Sequence, residues 1–244
     1  MGLVNFLELY KTNDSKNITH TSMNGGKWYI PPKEYKTFYR LIRKDISKNI
    51  PIPPLTETIG DIHPLIFDFD FKYHTLFTTR QYNQNFIKLL CEFIWTYIND
   101  IIDIDDESKY NDVYVMGKSK PYPCTNKTDY KSKDGIHLVY PKIILNRDIY
   151  KVICNKVQEN QDKIFSLLRE YCENPPSNLN DSLFDGKFCR WMPYLCHKDN
   201  EEAYKLEHVI IMTQGNAELK NQSLVTGEHS FYTDEMIMEE MSMF

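Results

Sequence analysis

The feature that most constrains this chain is a run of strand-forming residues, HPLIFDFDFKY at positions 63–73, that contains two aspartates. Leu65, Ile66 and the phenylalanines that follow them favour a buried β-strand. Because side chains alternate along a strand, Asp68 and Asp70 share one face, with their Cα atoms about 7 Å apart. The chain must therefore hold two carboxylates side by side on an otherwise apolar strand.

This pair of carboxylates has two interpretations. Burying an unpaired carboxylate is costly, and a hard cation such as Mg²⁺ or Mn²⁺ with oxygen ligands is a common compensation. Alternatively, the run is an edge strand that leaves both aspartates in water. The large apolar residues around Asp68 and Asp70 favour the metal site.

Length and composition bound the remaining possibilities. A chain of 244 residues can form one large domain, which we expect over residues 1–215, with 216–244 as a C-terminal edge or a linker. Hydrophobic residues make up 41% of the chain without a membrane-spanning run, so we expect a soluble intracellular protein. The net charge of -5 argues against a general polyanion binder but leaves room for a local basic groove.

The cysteines give no sign of a disulfide framework or a zinc ribbon. None of the six belongs to a CxxC pair, which fits reduced thiols in a cytosolic compartment. Cys189, Cys196 and His197 match no common tetrahedral spacing, so zinc is not expected.

The periodicity of apolar residues predicts an α+β fold. Helical spacing indicates helices at 2–11, 34–48, 79–102 and 148–171, with Thr79 capping the third. Besides the Asp-x-Asp strand, apolar runs predict strands at 28–30, 113–116, 136–140 and 206–212. We expect a mixed or antiparallel sheet that carries the aspartates on one face and packs the two longest helices on the other.

Two further segments have both a structural and a functional interpretation. Five lysines fall within sixteen residues of a predicted loop, and they form either a solvated surface or a cationic patch near a bound anion: Lys118, Lys120, Lys127, Lys131 and Lys133. In the strand that follows, Ile136, Leu138 and Tyr140 share one face and leave His137 on the other. Such a histidine is either a satisfied structural residue or a ligand-binding one.

The order of these elements resembles the archaeo-eukaryotic primase superfamily. Its first motif corresponds to Asp68-x-Asp70, its second to KDGIHLVYP with His137, and its third to an aspartate followed by Arg190 and Lys198. The opening THTSMNGGKWYIPPKEYKTFY and the KDGIH form are similar to the primase half of the poxvirus-type primase-helicases of nucleocytoplasmic large DNA viruses. The resemblance covers about residues 17–212.

That resemblance implies an RRM-like catalytic core with an N-terminal α/β extension. It implies primer synthesis on single-stranded DNA from NTPs or dNTPs by two-metal transfer with Mg²⁺ or Mn²⁺, in a virus-encoded protein of the host cytoplasm. A superfamily 3 helicase follows such domains in the same polypeptide. The implied metal-binding and catalytic residues are Asp68, Asp70 and Asp181. The implied nucleotide-binding residues are His137, Lys133, Arg190 and Lys198, and the implied DNA-binding residues are Lys118, Lys120, Lys127 and Lys131.

The sequence does not decide which aspartate supplies the third carboxylate, and at one position it departs from the family pattern. Asp181 and Asp185 compete for the third position, and Asp181 is preferred because Asp185-Gly186 has the composition of a turn. Many relatives have Ser or Thr where this chain has Gly135.

Other protein classes also use an Asp-x-Asp strand. Dehalogenase-type phosphatases need a small residue after it, where this chain has Phe71-Lys72, and metal-dependent glycosyltransferases share only the two aspartates. Neither class explains KDGIH followed by Arg190 and Lys198. A catalytically inactive single-stranded DNA-binding domain with the primase fold is the non-enzymatic alternative.

Overall fold

The computed structural model describes residues 1–104, 110–124, 129–179, 183–184, 190–199, 201–220 and 237. Over these residues the chain forms helices on two antiparallel sheets, so the predicted α+β class is confirmed. The helices are α1 (Leu3–Leu9), α2 (Tyr35–Ser47), α3 (Gln84–Ile101), α4 (Arg147–Glu159) and α5 (Gln161–Tyr171). None of the described helices is long and apolar enough to cross a membrane.

The larger sheet is built around two long strands. Its order is β10-β9-β5-β7-β4, with the short strand β6 paired to β7. The strands are β4 (Ile62–Tyr73), β5 (Asp112–Gly117), β6 (Tyr122–Pro123), β7 (Ser132–Asn146), β9 (Lys205–Thr213) and β10 (Asn216–Leu219). β4 and β7 pair along almost their whole length, which places the Asp-x-Asp segment beside KDGIH. β10 and β4 are the two ends of this strand order, so the Asp-x-Asp strand is an edge strand of the sheet, although its aspartates are only partly exposed.

Aromatic packing fixes which face of the sheet meets the helices. The ring of Phe71 on β4 contacts Phe86 on α3, with 5.9 Å between ring centroids, and Tyr140 on β7 stacks near Trp95 on the same helix. Because side chains alternate, the face opposite these rings carries Asp68, Asp70 and His137. The predicted separation of helices and aspartates on opposite faces is confirmed.

Two helix predictions are wrong at their boundaries. The third helix begins at Gln84, not at Thr79, because Asn83 accepts hydrogen bonds from the backbone of Asn85 and Phe86 and caps the helix there. The stretch 148–171 is two helices, separated at Asn160. The side chain of Asn160 donates to the carbonyl oxygen of Lys156, 2.9 Å away, and so ends α4.

The smaller sheet joins distant parts of the chain. Its strands β1 (His20–Ser22), β2 (Lys27–Trp28), β3 (Leu55–Thr58) and β8 (Arg190–Trp191) pair in the order β2-β1-β3-β8. Buried polar groups support it: His20 Nε2 lies 3.3 Å from Glu57, which also accepts a 2.7 Å hydrogen bond from Tyr39. This sheet carries Arg190 towards the aspartate face of the larger sheet.

Candidate functional site

The two aspartates of β4 are only partly exposed. Asp68 and Asp70 side chains are each 36% exposed, while the phenylalanines on either side of them are fully buried. Each aspartate lies opposite a residue of β7: Asp68 opposite His137, and Asp70 opposite Gly135. The strand pair therefore presents both carboxylates to one cleft.

Side chains of β7 compensate both carboxylates. His137 Nε2 lies 3.3 Å from an oxygen of Asp68, and Lys133 Nζ lies 3.2 Å from an oxygen of Asp70. Burial raises the pKa of Asp68, but His137 and Lys133 outweigh burial and hold that pKa below its usual value. Asp68 is therefore ionised at neutral pH. Lys133 lies on β7, so its predicted position in a loop is wrong.

Two aromatic rings hold His137 in place. The ring of Tyr204 stacks on it at a centroid distance of 3.6 Å and an interplanar angle of 11°, and Trp191 contacts it at 4.7 Å. The hydroxyl of Tyr204 extends over Gly135, where an added Cβ would lie 2.6 Å from that oxygen. A side chain at position 135 has no room because Tyr204 occupies the space.

Placing the residue type of many relatives at this position should therefore destabilise the protein. We expect Gly135→Ser to lower the free energy of unfolding by about 1–3 kcal/mol through overpacking, because its Cβ also meets the carbonyl oxygen of Phe69 at 2.9 Å. Urea unfolding measures the change. Adding Tyr204→Phe should recover part of it, since the nearest atom is removed.

Gly2→Ser is the matched control for this prediction. An added Cβ at Gly2 meets nothing closer than 4.0 Å, so that variant should be no less stable than the parent protein. Parental stability of Gly135→Ser would show that Tyr204 does not fill the space.

The smaller sheet positions the arginine of the third motif. Arg190 and Trp191 pair with Thr58 and Glu57 of β3, and the guanidinium of Arg190 donates to the hydroxyl of Thr21. Arg190 is exposed towards the cleft. Strands of the N-terminal extension thus hold Arg190 in position at the cleft.

A cleft of about 210 Å³ gathers the charged residues. Besides both aspartates, Lys133, His137 and Arg190, its lining includes the following side chains: Lys118, Tyr122, Trp191, Met192, Cys196, His197, Lys198, Glu201, Glu202 and Tyr204. Lys118 is 3% exposed, donates to Glu201 at 2.7 Å and lies 3.6 Å above the ring of Tyr122. Of the two interpretations of the lysine segment, the solvated surface is therefore wrong for Lys118, which lines the cleft.

The predicted site residues fall into three groups. The first comes together in the cleft: Asp68, Asp70, Lys118, Lys133, His137, Arg190 and Lys198. Lys120 and Lys131 are exposed and do not line it. Asp181, Asp185, Lys127 and Cys189 lie outside the described residues.

The described part of the third-motif segment lies against β4. Phe184 forms an antiparallel bridge with Phe69, and the backbone N–H of Asp70 donates to the carbonyl oxygen of Leu183 at 2.9 Å. Leu183 and Phe184 are buried. Sequence reasoning placed the segment near the site only through the family motif, and this pairing gives it a physical basis.

An arginine behind the cleft was not predicted. Arg80, in the segment before α3, contacts the carboxylates of Asp134 and Glu207 and the carbonyl oxygen of Lys118. Burial raises the pKa of Asp134, while Arg80 opposes that rise. Asp134 in turn accepts a 2.9 Å hydrogen bond from the backbone of Gly135. Arg80 therefore anchors the segment that carries His137.

The signals for the missed residues were weak. Tyr204 and Trp191 are distant in sequence from His137, and no spacing rule connects them. The glycine at position 135 was the available clue, because a glycine in place of a larger residue indicates a close neighbour. Arg80 gave no signal beyond its charge.

Comparison with known protein families decides what kind of domain this is. The family described as C962R protein N-terminal AEP domain matches residues 19–210. The chain belongs to this family. It is an archaeo-eukaryotic primase (AEP) domain of the viral primase-helicase type, which confirms the resemblance seen in the sequence. No curated protein matches the chain.

The AEP fold is that of a primase-type nucleotidyltransferase, whose substrates are nucleotides and nucleic acid. In the part of the chain that the structure describes, no three His, Cys, Asp or Glu side chains form a group able to hold a metal. Asp68 and Asp70 offer two hard oxygen donors on a partly exposed face, a donor set that suits Mg²⁺ or Mn²⁺. A third carboxylate would have to come from residues outside the described part.

Proposed function

We propose that this AEP domain is a DNA primase that synthesises short primers on single-stranded DNA. The observation that carries the proposal is the strand pair β4/β7, which presents Asp68 and Asp70 to the same cleft as Lys133, His137 and Arg190. Paired carboxylates beside several cations are what transfer of a nucleotide from a triphosphate requires.

The carboxylates would bind divalent metal ions. Bound Mg²⁺ or Mn²⁺ lowers the pKa of an attacking 3'-hydroxyl and neutralises the triphosphate. Asp68 is held ionised, so it needs no deprotonation before it binds a cation. Asp181 or Asp185 would complete the ligand set.

The cationic side chains would bind the triphosphate. Lys133 and His137 lie beside the aspartates, while Arg190 and Lys198 line the cleft from β8 and the loop after it. Arginine can bind phosphate through two parallel hydrogen bonds, and lysine supplies a point charge. In this arrangement the triphosphate would lie between the two sheets. The phosphate that is transferred with the nucleoside would point to the aspartates.

The template is the partner on which the proposal depends. Family membership supports nucleic acid as a substrate, and the viral primase-helicase type supports a superfamily 3 helicase in the same polypeptide. We propose a virus-encoded protein that acts in the host cytoplasm. Exposed Lys120 and Lys131, with Lys127, would contact the template backbone.

Template-directed synthesis is the expected result of a direct assay. The protein is incubated with a homopolymer of single-stranded DNA, Mn²⁺ or Mg²⁺ and one labelled nucleotide at a time, supplied as NTP or dNTP. On poly(dT), short products should form from adenine nucleotides and not from the other three. Products are resolved on a denaturing gel.

Two controls make the assay decisive. In the first control, chelation of the divalent ion should abolish the products. In the second, the protein should incorporate guanine nucleotides only on poly(dC). Incorporation that ignores the template base would contradict a primase and favour an untemplated transferase. Binding of DNA without any product would favour the inactive domain.

A further inference from the structure

A second surface lies at the end of β4, beyond the aspartates. Because side chains alternate, Lys72 lies on the same face as Asp68 and Asp70, and His74 follows two residues later. His74 is stacked on Tyr130, with 5.0 Å between ring centroids and 14° between the ring planes. We name Lys72, His74 and Tyr130 the aromatic platform.

Hydrogen bonds hold this platform to the sheet. The backbone N–H of His74 donates to the hydroxyl of Ser177 at 3.1 Å, and the backbone of Ser177 donates to the carbonyl oxygen of Lys72 at 2.7 Å. His74 Nδ1 also lies 3.3 Å from the carbonyl oxygen of Asp129, next to Tyr130. The stacked pair, in which His74 is exposed and Tyr130 is partly buried, is thus fixed in position without being part of the core.

Beside the platform, Lys72 and Lys131 carry two positive charges, against one negative charge on the exposed Asp129. Lys72 Nζ lies 5.9 Å from the centre of the Tyr130 ring, and Lys72 lies opposite Lys133 in the strand pair. Lys131 follows Tyr130 and is exposed. Over the described residues, neither Lys72 nor Lys131 forms an ion pair, so both charges are available to an anion.

Stacked rings next to unpaired lysines suit single-stranded nucleic acid. Bases of any sequence stack on aromatic rings, and lysines follow the phosphate backbone. A template has to be held without regard to its sequence, which stacking permits. His74 is four residues after Asp70 and just past the end of β4, a span of about 13 Å, which corresponds to about four stacked nucleotides.

We propose that the aromatic platform binds a base of single-stranded DNA about four nucleotides from the aspartates. This proposal rests on the proposed primase function for the reaction at the aspartates. The binding of DNA by the platform needs neither nucleotide nor metal. Lys72 and Lys131 contact the neighbouring phosphates, and the exposed ring of His74, which is backed by Tyr130, stacks on the base.

Binding of a fluorescent oligo(dT) to the full chain tests the platform by anisotropy, without nucleotide or divalent ion. Loss of one stacked base costs about 1–3 kcal/mol, so Tyr130→Ala and His74→Ala should each weaken binding roughly 5- to 150-fold. Tyr130→Phe keeps the ring and should bind within about 3-fold of the parent protein. Lys72→Gln should reduce the slope of log Kd against log salt by about 0.7.

Matched variants on the smaller sheet serve as controls. Tyr29, which is 43% exposed, and the exposed Lys27 carry the same side chains away from the platform, so Tyr29→Ala and Lys27→Gln should leave binding unchanged. Thermal melting checks that each variant is folded. Parental affinity of Tyr130→Ala and His74→Ala, or equal loss in the controls, would overturn the proposal.

The result separates this proposal from the primase function. A protein that binds DNA through the platform but makes no primer refutes only primer synthesis. A protein that makes primers and binds DNA equally well with both alanine substitutions refutes only the platform.

Discussion

Replacing Asp70 with asparagine should lower primer synthesis by more than about 100-fold while the fold survives. The substitution keeps the shape of the side chain and removes the charge that a divalent ion needs. Removing a residue that only hydrogen-bonds to a metal ligand lowers metal affinity or activity by about 10- to 100-fold. Removing a ligand itself should therefore lower activity by more. Asp68→Asn should have the same effect, because both carboxylates face one cleft.

Asp61→Asn is the matched control for these variants. Asp61 precedes β4 and its side chain is 94% exposed, so neutralising it should change activity less than about 2-fold. Primer yield at saturating nucleotide and Mn²⁺ is the measurement, with thermal melting as the check on folding. Template-dependent products at the parental rate from Asp70→Asn and from Asp68→Asn would remove both aspartates from the active site.

The third carboxylate can be identified in the same assay. Asp181 and Asp185 both lie outside the described residues, so the preference for Asp181 made from the sequence stays a prediction. We expect Asp181→Asn to reduce activity as strongly as Asp70→Asn and Asp185→Asn to reduce it little. The reverse result would assign the third carboxylate to Asp185.

The largest loss of stability is expected from Arg80→Met. Arg80 contacts Asp134, whose side chain is 0% exposed, and removing one member of a buried ion pair costs about 3–5 kcal/mol. Urea unfolding should show a loss of that size. Lys151→Met, which removes an exposed lysine 3.5 Å from Asp148, is the control and should cost less than about 1 kcal/mol.

The pH dependence of this loss provides a second test. Burial raises the pKa of Asp134 in the folded protein, and Arg80 is the first group that opposes the rise, so the pKa should rise further in Arg80→Met. A carboxyl group with a raised folded-state pKa makes the protein less stable as pH increases through that pKa. The deficit of Arg80→Met should therefore be largest at neutral pH and smaller at mildly acidic pH. Asp134→Asn in the same chain should recover part of it, and a deficit that does not depend on pH would contradict the role of Asp134.

Alternation along strands made much of the site predictable. A period of two residues places Asp68 and Asp70 on one face and His137 on the same face of the paired strand, and the structure has them so. Helix ends were less predictable, because Thr79 and Asn83 are both good caps and only the structure shows that the side chain of Asn83 accepts the first backbone N–H groups of the helix. Two-residue strands such as β8 have no periodic signal at all.

Contacts between distant residues could not be predicted from one sequence. Tyr204 reaches His137 because β9 follows the loop that covers the cleft, and no local pattern encodes that distance. The burial of Lys118 depends in the same way on Glu201, so the sequence alone could not decide between a solvated lysine segment and a cationic patch. Residues whose role depends on a distant partner are the ones that sequence reasoning missed.

The late strand β8 has a consequence for the order of folding. It pairs with β3 across more than a hundred residues, so the smaller sheet cannot be completed until the intervening strands and helices have come together. Contacts of such long sequence separation form slowly, because the entropy of closing the loop is lost before the contact stabilises the chain. We therefore expect β4 and β7 to pair, and so to place the two aspartates, before β8 adds Arg190 to the cleft.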